Sequence, residues 1–284
     1  MDRRNYDTCV YQKVCSLYPE ATILFNQKVP GRYSRANRQC DILVQESLSG
    51  PNILFDAKYR YRRTDIQHVK EFISLIGDIG CDTGVLVASK GYTDDALSEA
   101  KQGSHVFDLE LVSFEELEHC YKAITYQISG KLALELRSPL GWTYEPQIDP
   151  YGAMVFYPKE YYRAEASGKL EFLSLHNWYP SDGQTIDALI EQQSQVVREK
   201  YPGDILIHYE KTAAFSGEAI VRFVRIETLE AFEITAYLSI GKAAVYFSMF
   251  TPSNMMLRSL SKLKRVVANA RLIEKTTADA SHCT

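Results

Sequence analysis

The sequence predicts two α/β domains in tandem, the first a mixed sheet flanked by helices and the second a further α/β half. Three observations predict it. The 284 residues exceed one small domain on a prior of about 100–200 residues per domain. The 45% hydrophobic and 24% charged residues belong to a chain with a packed core and not to a disordered one. Apolar runs of strand length alternate with segments of helical period in the order α-β-β-β-α-β-α-β-α, ahead of an aromatic-rich second half.

Taken in order, Tyr6, Val10, Val14 and Leu17 recur at helical spacing, so an amphipathic helix opens the chain and ends near Pro19. Strands are expected over 22–29, 39–46 and 52–59, the last two joined into a hairpin by the turn-forming Ser47, Leu48, Ser49, Gly50 and Pro51. A helix capped by Thr64 places Ile66, Val69, Phe72, Ile73 and Ile76 on one face and stops at Gly80. The continuous apolar run from Gly84 to Ala88 reads as a buried strand. A helix capped by Thr93 then runs to Gln102, a strand covers 106–112, and a helix runs from Phe114 to about Ala123. The stretch 125–139 reads as a boundary, giving domains over 1–124 and 132–274 and a tail over 275–284. In the second half, strands are expected at 153–158, 170–177, 205–209, 218–226, 232–240 and 243–251. Helices are expected at 185–201, carrying Ile186, Leu189, Ile190, Val196 and Val197, and at 253–268.

Composition excludes several classes of function. No apolar stretch is long enough for a signal peptide or for the roughly 18 residues of a membrane span, so no membrane role and a cytoplasmic location are expected. Six cysteines, Cys9, Cys15, Cys40, Cys81, Cys120 and Cys283, form no C-x-x-C pair, and the six histidines are as dispersed. Buried reduced thiols are expected, with neither a zinc site nor a disulfide framework. A net charge of -4 argues against indiscriminate coating of nucleic acid, but the sum hides an asymmetry. From Lys28 to Lys70 the bases Lys28, Arg32, Arg35, Arg38, Lys58, Arg60, Arg62, Arg63 and Lys70 face only Asp41, Glu46, Asp56 and Asp65. Phosphate suits that segment. No G-x-x-x-x-G-K-S/T motif is present, so any ATP-driven translocation would come from a partner.

Within it, Asp41, Asp56 and Lys58 fall on the two strands of the expected hairpin. Asp56 and Lys58, two apart, share a face, with Phe55 and Ala57 on the other and Cys40 and Ile42 flanking Asp41. Phosphodiester hydrolysis calls for an oxygen-ligated divalent metal and a lysine that orients or deprotonates the attacking water. The bare D-x-K spacing is weak, as Glu99-Ala100-Lys101 on a predicted helix shows, and its plain reading is a surface ion pair. Context outweighs that reading: charges embedded in Ile42-Leu43-Val44 and Ile53-Leu54-Phe55 are costly without a partner or a function.

The sequence resembles the Mrr-like restriction endonucleases, a branch of the PD-(D/E)xK nuclease superfamily, over about Tyr6 to Ser113. The resemblance rests on the Tyr6-Asp7 helix, Gly31-Arg-Tyr-Ser34 leading to Gln39-Cys-Asp41, and Asp56-Ala-Lys58-Tyr59. It continues through Val69-Lys-Glu-Phe72, Asp78-Ile-Gly80, Gly84-Val-Leu-Val87, and Gly91-Tyr-Thr93 leading to Ala96 and Ala100. It implies a restriction-endonuclease-like fold and DNA cleavage dependent on Mg2+ (or Mn2+), with Asp41 and Asp56 as metal ligands and Lys58 as catalytic lysine. Such families often add an acidic residue from the first helix, and Asp7 matches it better than Glu20. The plain reading of Asp7 is a solvated helix-start charge. Arg32, Arg35, Arg38, Arg60, Arg62 and Arg63 flank the centre as a phosphate-tracking groove requires. Tyr33, Tyr59 and Tyr61, interleaved with them, serve either as base-stacking rings or as ordinary strand packing. Gln67 is read as solvent-facing.

The second half, from about Leu132 to Glu274, resembles the small PsbP/DcrB-like α/β/α fold in Pro139-Leu-Gly-Trp142, the helix before Pro202 and the late paired strands. The resemblance implies an interaction or sensing module without chemistry, suited to an ATPase or sensor partner. His176, His208 and Glu210 lack metal-ligand spacing and read as structural or exposed. The expected whole is a defence nuclease acting on DNA, with a homo-oligomer expected. The alternatives are a repair nuclease or a non-catalytic scaffold subunit.

Overall fold

A computed structural model describes residues 3–45, 52–101, 106–119, 123–139, 141–146, 153–179, 185–214, 217–241 and 243–274. The turn expected at 47–51, the end of the third expected helix at Gln102 and the tail over 275–284 lie outside them. The chain divides into two compact units, Met1–Lys122 and Ala123–Thr284.

The first unit runs α1 (Arg3–Leu17), β1 (Thr22–Pro30), β2 (Asn37–Gln45), β3 (Asn52–Lys58), α2 (Ile66–Ile79), β4 (Thr83–Ala88), α3 (Asp94–Lys101), β5 (Asp108–Ser113) and α4 (Phe114–His119). One sheet has the order β1-β2-β3-β4-β5. Its first three strands are antiparallel, and the β3–β4 and β4–β5 pairs are parallel. Parallel neighbours need crossovers, which α2 and α3 supply. All six residues of β4 are buried, as a strand covered on both faces requires. The stripe Val69, Phe72, Ile76 and Ile79 of α2 joins Leu43, Leu54, Leu86, Ala96 and Leu109 in one core. Gly84 lets α2 lie close on β4, because a Cβ there would stand 2.1 Å from Ile76 Cδ1.

Two boundaries differ from expectation. Asp65, not Thr64, caps α2, its carboxylate accepting from His68 N at 3.3 Å. Thr64 is drawn instead into backbone pairing with the 91–93 segment, donating to Gly91 O at 2.9 Å and accepting from Thr93 N at 3.0 Å. Local capping preference yielded there to a long-range pairing. The helix expected from Phe114 to about Ala123 is described over Phe114–His119, residues 120–122 lie outside the described residues, and Ala123 opens a strand of the second unit.

That unit contains β6 (Ala123–Ser129), β7 (Leu132–Arg137), β8 (Trp142–Pro146), β9 (Met154–Pro158), α5 (Arg163–Gly168), β10 (Phe172–Trp178), α6 (Ile186–Lys200), β11 (Ile205–Ala214), β12 (Gly217–Ile226), β13 (Ala231–Ile240), β14 (Ala243–Pro252), α7 (Met256–Asn269) and β15 (Arg271–Glu274). A seven-stranded antiparallel sheet has the order β11-β12-β13-β14-β10-β9-β8, and a small sheet the order β15-β7-β6. The stretch 125–139, read from sequence as a boundary, forms the β6–β7 hairpin. Residues alternate across the large sheet: Ile234, Ala236 and Leu238 join Leu263, Val266 and Val267 of α7 and Leu134 and Leu136 of β7 on one side. Tyr237 and Ala244 meet Leu189 and Ile190 of α6 on the other. Val196, expected on the apolar face of α6, is 57% exposed, and Ser194 takes the inner position.

Candidate active site

The site forms where two strands of the first unit part. Paired residues on β2 and β3 run from Gln45↔Asn52 to Ile42↔Phe55. One step further stand Asp41 and Asp56, where the backbone ladder ceases and the Asp41 carboxylate takes its place, Oδ2 accepting from Ala57 N at 3.1 Å. The neighbouring strand is distorted at the same level, since Asn26 of β1 has φ 53. The separation opens space beside two carboxylates while the strands stay paired behind them.

Lys58 shares the face of Asp56, two residues along β3, and its Nζ lies 2.6 Å from Asp56 Oδ2. Asp56 is buried and Asp41 half-buried. Burial first, then the Asp41 side chain, pushes the Asp56 carboxyl up to about 7, against the lowering pull of Lys58. Two adjoining carboxylates beside one lysine leave negative charge uncompensated, which a proton or a cation answers. The donor set fits a hard divalent ion: Mg2+ is held through one or two carboxylates and keeps several waters. Among the described residues no group of three His, Cys, Asp or Glu side chains forms a metal cage, so Asp41 and Asp56 are the protein ligands on which the fit rests.

Asp7 is half-buried on α1, next to Tyr6, whose ring packs against Tyr59 at 5.6 Å and Phe114 at 6.0 Å. Burial and the adjacent Asp7 charge raise the Tyr6 phenol well above its ordinary range. Gln67 is exposed and bonds Glu71 at 3.3 Å. Arg32, Arg35, Arg60, Arg62 and Arg63 are exposed, and Arg38 is half-exposed. Arg32 and Arg35 ride on the turn between β1 and β2, Arg38 lies at the start of β2, and Arg60, Arg62 and Arg63 lie on the segment between β3 and α2. An open cleft of about 470 Å³ is lined by Ala57, Lys58, Tyr59, Arg60, Tyr61 and Arg62.

Asp78, read from the sequence only within the Asp78-Ile-Gly80 match, holds the arginine-bearing turn in place. Buried at the end of α2, its carboxylate accepts from Tyr33 N at 3.1 Å, Ser34 N at 3.0 Å and Ser34 Oγ at 2.6 Å, and lies 3.4 Å from Arg38 Nη1. Its carbonyl accepts from Arg32 N at 2.6 Å. The Ser34 hydroxyl and amide, with Tyr33 N and Arg38, hold this carboxyl below the ordinary range. A Cβ on Gly31 would lie 2.5 Å from Asp78 Oδ2, and one on Gly80 2.2 Å from the Arg32 guanidinium. The segments Gly31–Ser34 and Asp78–Gly80, far apart in sequence, are thus one clamp on the arginine turn. The available signal was a charged residue interrupting the apolar stripe of α2 one turn from its glycine stop.

In the second unit, His176 stacks on Tyr246 at 4.8 Å, His208 lies 5.9 Å from Phe223, and Glu210 pairs with Lys264 at 2.7 Å. The structure brings these three into separate contacts, not one cluster. The buried Cys40 and Cys81 are free thiols, raised by burial to about 11 and about 12.

The mixed sheet and its flanking helices form a restriction-endonuclease-like fold. The model of the Mrr catalytic family, restriction endonucleases, matches residues 27–121 of this chain. No curated protein matches the chain. Among solved structures it is similar to the protein of unknown function AF1548, with a TM-score of 0.32 and 14% identity over 43% of this chain and 71% of that one. It is also similar to PsbP (CyanoP) from Synechocystis sp. PCC 6803, with a TM-score of 0.36 and 14% identity over 49% of this chain and 86% of that one. A Bacteroides thetaiotaomicron protein gives a TM-score of 0.33 and 11% identity over 56% of this chain and 50% of that one. No helix among the described residues is long and apolar enough to cross a membrane.

Proposed function

We propose that the protein is a divalent-metal-dependent DNA endonuclease acting in restriction or defence against phage. The carrying observation is the convergence of Asp41, Asp56 and Lys58 where β2 and β3 part, with Lys58 Nζ 2.6 Å from Asp56 Oδ2. Asp41 and Asp56 would hold Mg2+ or Mn2+. When bound, that ion neutralises phosphate charge and lowers the pKa of an attacking water.

Lys58 sits where its ammonium meets the Asp56 carboxylate and would meet an incoming phosphate. Its role is to neutralise charge that builds on the phosphate oxygens and to orient the water. Buried Asp56 presents its carboxylate without water competing for it, so its affinity for a cation is high once it is ionised. Asp41 also holds Ala57 N, which ties the ligand to the backbone that carries Lys58 and keeps the three groups in register. Arg32 and Arg35 on the β1–β2 turn, Arg38 at the start of β2, and Arg60, Arg62 and Arg63 between β3 and α2 supply phosphate contacts. Asp7 is proposed as an auxiliary acid from α1. The second unit, over about 132–274, is proposed as an interaction or sensing module for a partner such as an ATPase. Cutting both strands calls for two copies of the centre, hence a homo-oligomer.

The test is cleavage of plasmid and linear DNA, methylated and unmethylated, with Mg2+, Mn2+ or a chelator, beside Lys58→Ala and Asp7→Asn. Cutting by the native protein that the chelator and Lys58→Ala abolish is the expected result, with Asp7→Asn about 100-fold slower, the low end of the range for an acid–base group. If native protein and Lys58→Ala bind DNA alike and neither cuts, the scaffold reading replaces the nuclease one.

A further inference from the structure

Beside the cutting centre stands a second feature that phosphate hydrolysis does not use. Four rings run outward from the core: Phe114 to Tyr6 at 6.0 Å, Tyr6 to Tyr59 at 5.6 Å, and Tyr59 to Tyr61 at 6.2 Å in an edge-on arrangement. The series ends in Tyr61, which is 91% exposed. The backbone beneath is held firmly. Ser89 Oγ receives Arg60 N at 3.0 Å and donates to Arg60 O at 3.1 Å. Ser89 N donates to Lys58 O at 3.1 Å, and Thr64 closes the segment through Gly91 and Thr93. An aromatic side chain kept in water on a pre-organised frame is a feature of recognition surfaces, where the ordering cost is met before the ligand arrives.

The cleft that this segment lines, about 470 Å³ between Ala57 and Arg62, is within the range of small-ligand sites. It accepts a single nucleoside, whereas a paired duplex is far too wide. Its lining carries the cations Lys58, Arg60 and Arg62, interleaved with the rings of Tyr59 and Tyr61. That alternation of cation and ring matches a nucleic-acid strand, whose phosphates alternate with flat bases.

We propose that this cleft holds one unstacked nucleobase adjoining the phosphate to be cut, with Tyr61 as the stacking ring and Arg60 and Arg62 on the flanking phosphates. The proposal rests on the reading of Asp41, Asp56 and Lys58 as the cutting centre. It makes the substrate a DNA whose strand is unpaired at the cut, either as a single strand or as a base extruded from a duplex.

The test measures binding of the full-length protein, in a chelator so that nothing is cut, to three DNAs of one sequence carrying 2-aminopurine. They are a single strand, a duplex with one unpaired 2-aminopurine, and the fully matched duplex. The expected result is tighter binding and stronger quenching with an unpaired base than with the matched duplex. Tyr61→Ala is expected to lose about 5- to 100-fold in affinity for the unpaired forms, the range one base–aromatic stack supplies, with the matched duplex within two-fold and Tyr61→Trp restoring the loss. Preference for both unpaired forms assigns the site to extruded bases, and preference for the single strand alone assigns it to single strands. Equal affinity for all three DNAs, or equal loss on all three in Tyr61→Ala, overturns the proposal. Cleavage is scored separately with Mg2+, so failure of the nuclease reading shows as absent cutting and leaves the binding comparison intact.

Discussion

Asp56 is the residue whose chemistry departs most from its sequence neighbourhood. Because burial and Asp41 raise its pKa to about 7, the folded protein binds a proton there that the unfolded chain has released above about pH 4. The folded state is the one with the higher affinity for that proton, so this contribution to stability is full below about pH 4 and is lost as pH rises to about 7. Without metal, the thermal midpoint should therefore fall across that window, and Asp56→Asn should flatten the fall, gaining on the order of 2 kcal/mol at pH 8. Mg2+ should raise the midpoint of the native protein at pH 8 and leave that of Asp56→Asn in place. Scanning calorimetry with and without Mg2+ measures both. At limiting Mg2+ the cleavage rate should rise through about pH 7 as Asp56 ionises, and added Mg2+ should move that rise to lower pH. A rise that stays put at every Mg2+ concentration would remove Asp56 from the ligand set. The Asp41, Asp56 and Lys58 trio was legible in the sequence because charges inside apolar strands have few innocent explanations. Asp78 was not, because a carboxylate at a helix end is ordinary until the segment it binds is known.

At the scale of elements, the turn between β1 and β2 depends on the end of α2. Gly31→Ala and Asp78→Ala should act alike, since one displaces and the other removes the carboxylate that holds Tyr33, Ser34 and Arg38. Both should raise KM for DNA several-fold, with kcat within about two-fold, because they disturb a grip on the substrate and not the reacting centre. Asp78→Asn, which keeps the acceptor for Tyr33 N and Ser34 N, should recover part of the loss. Steady-state cleavage kinetics separates these outcomes, and equal losses in kcat would mean that the whole domain has been perturbed. At Gly80, φ is 77, so Gly80→Ala should cost about 1–2 kcal/mol from the left-handed backbone alone and also push the Arg32 guanidinium aside. Most elements of the first unit were legible because hydrophobic period and length distinguish its strands from its helices. The N-cap of α2 was not, since the pairing of Thr64 with Gly91 and Thr93 joins segments that no local window contains.

For the whole molecule, net charge misleads. The chain carries -4, yet two segments of the first unit, 32–38 and 60–63, concentrate positive charge. DNA affinity should accordingly fall steeply with salt, with a slope of log K against log salt near -4 to -5 if about five phosphates are contacted. Arg62→Ala should reduce that slope by about one, and titrations across a salt series would show it. Since Met1–Lys122 forms a compact unit with its own core, this fragment should unfold cooperatively and retain metal-dependent cutting. Denaturation and cleavage assays on the fragment decide that, and loss of cutting in a folded fragment would assign the second unit a part in catalysis.

The sequence by itself determined the fold class and the order of elements in the first unit, and it singled out Asp41, Asp56 and Lys58 as the candidate site, because each is written in local patterns: period, capping residues, and charge within apolar strands. Only the tertiary structure decided that β2 and β3 part at Asp41, that Asp78 clamps the arginine turn, that 125–139 is a hairpin, and that four rings lead from the core to Tyr61. Each of these depends on contacts between segments distant in the chain, where the free energy of packing and hydrogen bonding selects among conformations that local preference leaves nearly equal.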